Sequence, residues 1–422
     1  MTNETPKQQV WKRIDERWDD EIRFLREIVG HESVLGKEQG VQLAMQRKFL
    51  EMGLRVDMFD ADMAQIGAME GYSPIEWGFQ GRPQVVGVLA GQGGGKRLVL
   101  NGHVDVVPIE PIRDWSVDPL AGVVRAGRMY GRGAGDMKAG VAAMTYAIGA
   151  IQQCGIRLRG DVIVQSVIEE EATGNGTLAC IARGYKGDAA LIPEPFEQCV
   201  MAGELGVLWV RAVVRGAAGH VLGASRLVNA IDQTMRYIGW LRELEAEWNA
   251  KTQPGWEGID HPINFNPGVI QGGVWPSSVP SEVTLVTRFA FFPDVTPEEA
   301  KGRFLDFMRG KMREDGWFRD HPIEFTWYGH HDYGFTVPED DVFLQAVARA
   351  HTEVTGRPAA FNYATAVTDA RFWRVHQGLP ATCYGPIGGN FHGPDEWVDL
   401  ESVRQVTKVI AGFVLDYCGV AS

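Results

Sequence analysis

Five short segments of this 422-residue chain place polar side chains just beyond apolar runs, and the residue types are those that hold metals and move protons. They are NGHVDVVP with His103 and Asp105, GRGAGDMKAG with Asp136, VIEEEATGNG with Glu169, Glu170 and Glu171, IPEP with Glu194, and NFHGPDEW with His392. Taken singly, each has an ordinary reading. A histidine after a strand is usually a satisfied core or surface residue, an aspartate between glycines a turn residue, and a run of glutamates a solvated face. Taken together, two imidazoles and several carboxylates form a hard-to-borderline donor set suited to Zn²⁺, Mn²⁺ or Co²⁺, with little thiolate softness. Asp105 stands close enough to hold the second N–H of His103, a pairing that fixes the tautomer and direction of a ligating imidazole. Open α/β sheets place their sites beyond the carboxyl ends of strands, where these segments fall.

The five motifs, in this order and at these spacings, resemble the M20 metallopeptidase family over nearly the whole chain, most closely its acetylornithine deacetylase and succinyl-diaminopimelate desuccinylase branch. The resemblance implies a dinuclear hydrolase of C–N bonds with two divalent ions (Zn, Mn or Co). His103 would then ligate one ion and His392 the other, with Asp136 bridging them, Glu194 completing the first and Glu171 the second. Glu170 would be the general base, and Asp105 would orient His103. Three carboxylates nearly neutralise two such ions. Paired metals acidify a water and clamp a carbonyl oxygen, and Glu170 would pass the water's proton to the leaving nitrogen.

The resemblance further implies that His220, in GHVLG, reaches the active site of a neighbouring subunit. It also implies that Arg288, after TLVT, and Asp369 and Arg371, in VTDARFW, lie near the substrate. Ser277, in GGVWPSSVPSE, stands where many members carry an asparagine that helps hold substrate, so carboxylate recognition is expected to depart from the common pattern. The expected substrate is a small molecule, an N-acyl amino acid or a relative of one. A less usual C–N bond such as that of an aromatic amine, a dipeptide, and a non-catalytic metal-bound protein stay open as alternatives. His330-His331-Asp332 is required by none of these roles and reads as a surface loop.

The elements that must position these residues follow from periodicity. Apolar residues at helical spacing predict one long helix over 8–29, and a second follows over 38–52. Apolar runs at 54–59, 85–90, 97–103, 161–168 and 189–195, alternating with helices over 137–153 and 176–183, predict an α/β layer with a mainly parallel sheet. The Gly- and Pro-punctuated stretch 60–83 reads as an excursion from it. From 206 the order becomes β-α-β-β-α-β, with helices over 226–247 and 296–312, which is a ferredoxin-like α+β unit. The α/β pattern resumes with helices over 340–354 and 400–418. The expected fold class is therefore α/β in two domains. A discontinuous catalytic metal-binding domain (1–205 and 333–422) carries an inserted lid and dimerisation domain (206–332), which would make the protein a homodimer.

Composition narrows the partners. Hydrophobic residues are 45% and charged residues 23% of the chain, as in ordinary globular proteins. With 41 basic against 54 acidic residues the net charge is −13, which argues against nucleic acid and against a cationic membrane-surface role. A charged N-terminal segment and the lack of any long apolar window argue against a secretory signal and a membrane span. Five scattered cysteines without a CxxC pair argue against a disulfide scaffold or a zinc knuckle. A reduced, cytoplasmic enzyme is the expectation.

Overall fold

In the computed structural model, which describes residues 4–421, two helices, α1 (Pro6–Glu16) and α2 (Trp18–Val29), replace the single helix expected over 8–29. Arg17 alone leaves helical angles (φ −107°, ψ 12°), and its N–H still reaches the Arg13 carbonyl at 3.1 Å. The apolar stripe therefore runs on through a kink that side-chain spacing cannot register.

Beyond α3 (Gln39–Glu51) come β1 (Arg55–Asp60), β2 (Pro83–Leu89), β3 (Leu98–His103), α4 (Ala139–Gln153), β4 (Val162–Val167), α5 (Asn175–Ala182), β5 (Ala189–Ile192) and β6 (Val200–Glu204). The chain then builds β7 (Gly206–Arg215), α6 (Ala230–Asn249), β8 (Phe265–Gly272), β9 (Glu282–Phe291), α7 (Pro297–Glu314) and β10 (Glu324–Asp332). It closes with α8 (Val342–Thr355), β11 (Phe361–Ala364), β12 (Ala381–Cys383) and α9 (Leu400–Cys418).

The main sheet has the order β1-β2-β4-β3-β5-β12. Its last four strands are parallel neighbours, and β1 and β2 form an antiparallel edge. Every residue of β3, β4 and β5 is buried, as strands covered on both faces must be. The Ala- and Gly-rich α4 packs very closely on this sheet. A Cβ on Gly140 would lie 2.0 Å from the Pro193 carbonyl oxygen, and one on Gly385 2.2 Å from that of Glu194. Only glycine permits backbone to touch backbone there.

The second unit has the antiparallel order β8-β9-β7-β10, with α6 and α7 packed on it. That is the strand order of a split β-α-β arrangement. Its core, centred on Leu244, Phe289 and Phe304, draws on residues from Leu205 to Ile323, whereas the first core stops at Ala202 and resumes at Phe335. Two details differ from expectation. Residues 221–226 form a 3₁₀ turn, and α6 starts only at Ala230, behind Asn229, whose side chain accepts from the Ile231 N–H. The His330-His331-Asp332 run is not a surface loop. It extends β10 past a bulge between Trp327 and His331, and His330 and Asp332 are buried.

Candidate metal centre

His103 is the last residue of β3, Glu170 and Glu171 follow β4, and Glu194 follows β5. These three strands are parallel neighbours, so their carboxyl ends bring the four side chains together without help from loop chemistry. Asp136 arrives from the turn before α4, and His392 from the loop before α9.

The geometry is two-sided. His103 Nε2 lies 3.2 Å from Asp136 Oδ1, 3.6 Å from Glu194 Oε1 and 3.7 Å from Glu170 Oε2. On the other side, His392 Nε2 lies 3.5 Å from Asp136 Oδ2 and 3.1 Å from Glu171 Oε2. The two oxygens of Asp136 thus face different imidazoles. His103 Nδ1 sits 3.0 Å from the Asp105 backbone carbonyl, which can only accept, so Nδ1 carries the proton. In the neutral ring, Nε2 then presents a lone pair to three carboxylate oxygens, an arrangement that calls for a cation between them. Imidazole nitrogens and carboxylate oxygens converging on either side of one carboxylate fit a pair of divalent ions. The groups within mutual ligand reach are His103 with Asp136 and Glu171, and His103 with Glu170 and Glu194.

Electrostatics tell the same story. Burial pushes Glu170 and Glu194 well above the ordinary glutamate value and Asp105 up to about 8. Burial alone would lower His103, but the charge of Glu194 and the contact with Asp136 outweigh it and raise it well above its usual value. The charge of Glu171 lifts His392 to about 11. Asp136 moves the other way. Its burial is outweighed by its contacts with both imidazoles, which hold it below the usual range. A cluster this acidic and this dry is stabilised by whatever brings positive charge into it.

Sequence reasoning missed one support and gave a second no role. Glu396, in the same segment as His392, accepts from the backbone N–H groups of Gly133 (3.0 Å), Gly135 (2.9 Å) and Asp136 (3.0 Å), and pairs with Arg132 at 2.6 Å. It therefore fixes the turn that aims Asp136, and the signal was a second carboxylate four residues after His392. Glu169 is the other. It is fully buried at φ +76°, and its carbonyl accepts from Ala172, Thr173 and Gly174. Its carboxylate accepts from the Trp77 indole at 2.8 Å and pairs with Arg82. This tight turn presents Glu170 and Glu171 side by side.

The remaining expected site residues are spread more widely. The Asp105 carboxylate accepts from the Glu171 N–H at 3.2 Å and lies 3.6 Å from His103 Nδ1, so the imidazole's nearer partner is the Asp105 carbonyl. Arg371 is fully buried. Its Nε meets Asp332 at 2.9 Å and its Nη2 the Thr173 carbonyl at 2.9 Å, which braces the same turn from behind. Asp369 accepts from the Thr177 hydroxyl at 2.6 Å. Arg288 reaches from the second unit to the Thr365 carbonyl at 3.1 Å. His220 and Ser277 are exposed and belong together, because His220 pairs with Ser278 and the Ser277 carbonyl accepts from the Val221 N–H. No hydrogen bond or ion pair joins either to the metal cluster among the described residues.

The chain is similar to several known proteins. A family model described as Peptidase family M20/M25/M40 matches residues 99–416. The N-formyl-4-amino-5-aminomethyl-2-methylpyrimidine deformylase of Bacillus subtilis (strain 168) is 28% identical, covering 96% of each chain. A succinyl-diaminopimelate desuccinylase of Thioalkalivibrio sulfidiphilus is 27% identical over 76% of this chain and 83% of its own. Among solved structures, the di-peptidase Dug1p of Saccharomyces cerevisiae superposes with a TM-score of 0.82 at 15% identity, covering 98% of both chains, a likeness of fold alone.

Proposed function

The chain belongs to peptidase family M20/M25/M40, and from that premise we propose that it hydrolyses the amide of an N-acylated small amine, with formyl the first acyl group to test. The observation that carries this reading is Asp136, whose two oxygens face His103 and His392 separately. Two divalent ions (zinc, manganese or cobalt) would be held by His103, Asp136 and Glu194 on one side and by His392, Asp136 and Glu171 on the other. When bound, they supply Lewis acidity toward a carbonyl and an attacking water. Glu170, beside both groups, takes the proton of that water as its oxygen adds to the acyl carbon. It returns the proton to the amine nitrogen as the C–N bond breaks. Asp105 and Glu396 hold His103 and Asp136 in register. We place Arg288, Asp369 and Arg371 behind the substrate rather than against it, since each is bonded to protein.

Formyl leads because the deformylase likeness spans both chains nearly end to end, and Ser277, where many members of the family carry a substrate-holding asparagine, fits a departure from the common carboxylate recognition. The second unit, as a lid and dimerisation domain over 206–332, would carry His220 and Ser277 to a partner's site. Support for this comes from a run of exposed apolar residues, Leu222, Ile231, Met235, Val269, Ile270, Val274 and Trp275, all on that unit. Strand β8 is also the open edge of its sheet. No helix among the described residues is long and apolar enough to cross a membrane. Cytoplasmic placement remains our reading, supported by the scattered, unbonded cysteines.

The test is hydrolysis by Zn²⁺-, Mn²⁺- and Co²⁺-loaded protein of N-formyl-4-amino-5-aminomethyl-2-methylpyrimidine, of N-acetyl and N-succinyl amino acids, and of dipeptides, with Glu170→Gln as the blank. Turnover of the formyl amide that vanishes in the blank supports the proposal. Turnover confined to dipeptides replaces it with a peptidase reading.

A further inference from the structure

We propose that residues 71–82 form a strap through which the position of the second unit sets the turn bearing Glu170 and Glu171, with Glu76 and Trp77 as its positioning residues. The proposal rests on the reading of those two glutamates as base and ligand.

One face of the strap is fastened to the second unit. Glu76 meets Arg211 of β7 through two parallel bonds of 2.7 Å, a fork-to-fork contact that fixes direction as well as distance. The Gly329 N–H of β10 donates to the Pro74 carbonyl at 2.7 Å. Arg211 is itself held over the Tyr328 ring, 4.3 Å from its centre, and it keeps the Glu76 carboxyl below its ordinary value.

The other face is fastened to the catalytic turn. Ser73 and Asn175 exchange bonds, with the Ser73 N–H on Asn175 Oδ1 at 3.1 Å and Asn175 Nδ2 on the Ser73 carbonyl at 2.9 Å. The Trp77 indole donates to Glu169 at 2.8 Å, and Arg82 bridges Glu169 and Glu38. Adjacent residues therefore face opposite ways, Glu76 outward to the second unit and Trp77 inward to the residue preceding the base. Any rotation of β7 pulls on Glu76, and one peptide further on the pull reaches Glu169, whose carbonyl organises the turn. The chain thus has a bonded path between the two units, through Arg211, Glu76, Trp77 and Glu169, that bypasses the covalent crossings at 204–206 and 332–335.

Glu76 and Arg211 are substantially exposed (48% and 28% of their side chains), so breaking their pair costs the fold little. The experiment compares wild type with Glu76→Gln, Glu76→Arg, Trp77→Phe and the charge swap Glu76→Arg with Arg211→Glu, all as full-length metal-loaded protein. Amide hydrogen exchange over 169–175 and metal affinity by chelator competition are measured alongside kcat and KM. The single variants are expected to speed exchange at 169–175 and to lower kcat about 2- to 30-fold with KM little changed, and the swap is expected to restore both. Exchange that changes only within 71–82, or a swap no better than its parent, overturns the strap. Exchange and metal affinity need no substrate, so they decide the question even if every acyl amine tried proves inert, a result that would sink the functional reading instead.

Discussion

At the residue scale the two halves of the proposed chemistry separate cleanly. Glu170→Gln keeps the shape and loses the proton acceptor, so metal content should stay at the wild-type value while kcat falls by about 10²–10⁴; unchanged turnover would assign the base elsewhere. Asp136→Ala removes the carboxylate facing both imidazoles, and elemental analysis should find both ions lost; retention of two per chain would refute the bridging assignment. Glu396→Gln weakens three backbone N–H bonds, that of Asp136 among them, while leaving every proposed ligand side chain in place. It should lower metal affinity about 10- to 100-fold, the usual cost of disturbing the groups behind a ligand. Of the proposed ligands, His103, Glu171 and Glu194 stood out in the sequence because each closely follows an apolar run, which marks a strand and its carboxyl end together. Asp136 and His392, in a turn and a loop, stood out only through their motifs. The roles of Glu396 and Glu169 did not stand out, since their work is done on backbone groups and nothing in residue spacing reports which N–H a carboxylate will receive.

At the element scale, legibility followed periodicity. The β-α-β alternation and the split β-α-β unit read directly from apolar spacing, while the break at Arg17 did not, because it changes backbone angles and leaves the stripe intact. The extension of β10 through His330 and Asp332 was hidden for another reason. Three consecutive polar residues look solvated unless a buried Arg371 is known to wait for them. The chain's first crossing between units carries a comparable polar group, Glu204, fully buried and raised well above the usual carboxyl range by that burial, with the Thr368 hydroxyl donating to it at 2.6 Å. Its folded state binds a proton that the unfolded chain has already released, so stability falls as pH rises from the ordinary glutamate value toward the folded one. Glu204→Gln should therefore raise Tm at pH 8 by roughly 2–4 °C per kcal/mol gained, with the gain shrinking below about pH 5. Thermal scans across pH check this, and a difference independent of pH would contradict it.

At the scale of the whole molecule, the exposed apolar residues of the second unit gather around an open sheet edge. A Cβ on Gly273, in the β8–β9 loop, would meet Ile231 of α6 at 3.8 Å, so that loop and that helix lie side by side. Placing lysine at Ile270 and Val274 should convert a dimer to monomers in sedimentation and lower turnover while leaving metal content unchanged. Equal sedimentation of variant and parent would remove the dimer from the proposal. The sequence carries the order of strands and helices in the second unit. It could not give this surface, because exposure of an apolar residue is a property of the packed chain and not of its own identity.

The contacts of Gly140 with the Pro193 carbonyl and of Gly385 with that of Glu194 bear on descent. Where main chain rests on main chain, the distance between strand ends cannot be adjusted by exchanging one side chain for another. The separation of the ligands is thus set by the main chain, whereas exposed side chains on the second unit can vary without moving it. A lineage built this way changes its diet without rebuilding its furnace, which suits a scaffold whose relatives release formyl from one amine and succinyl from another.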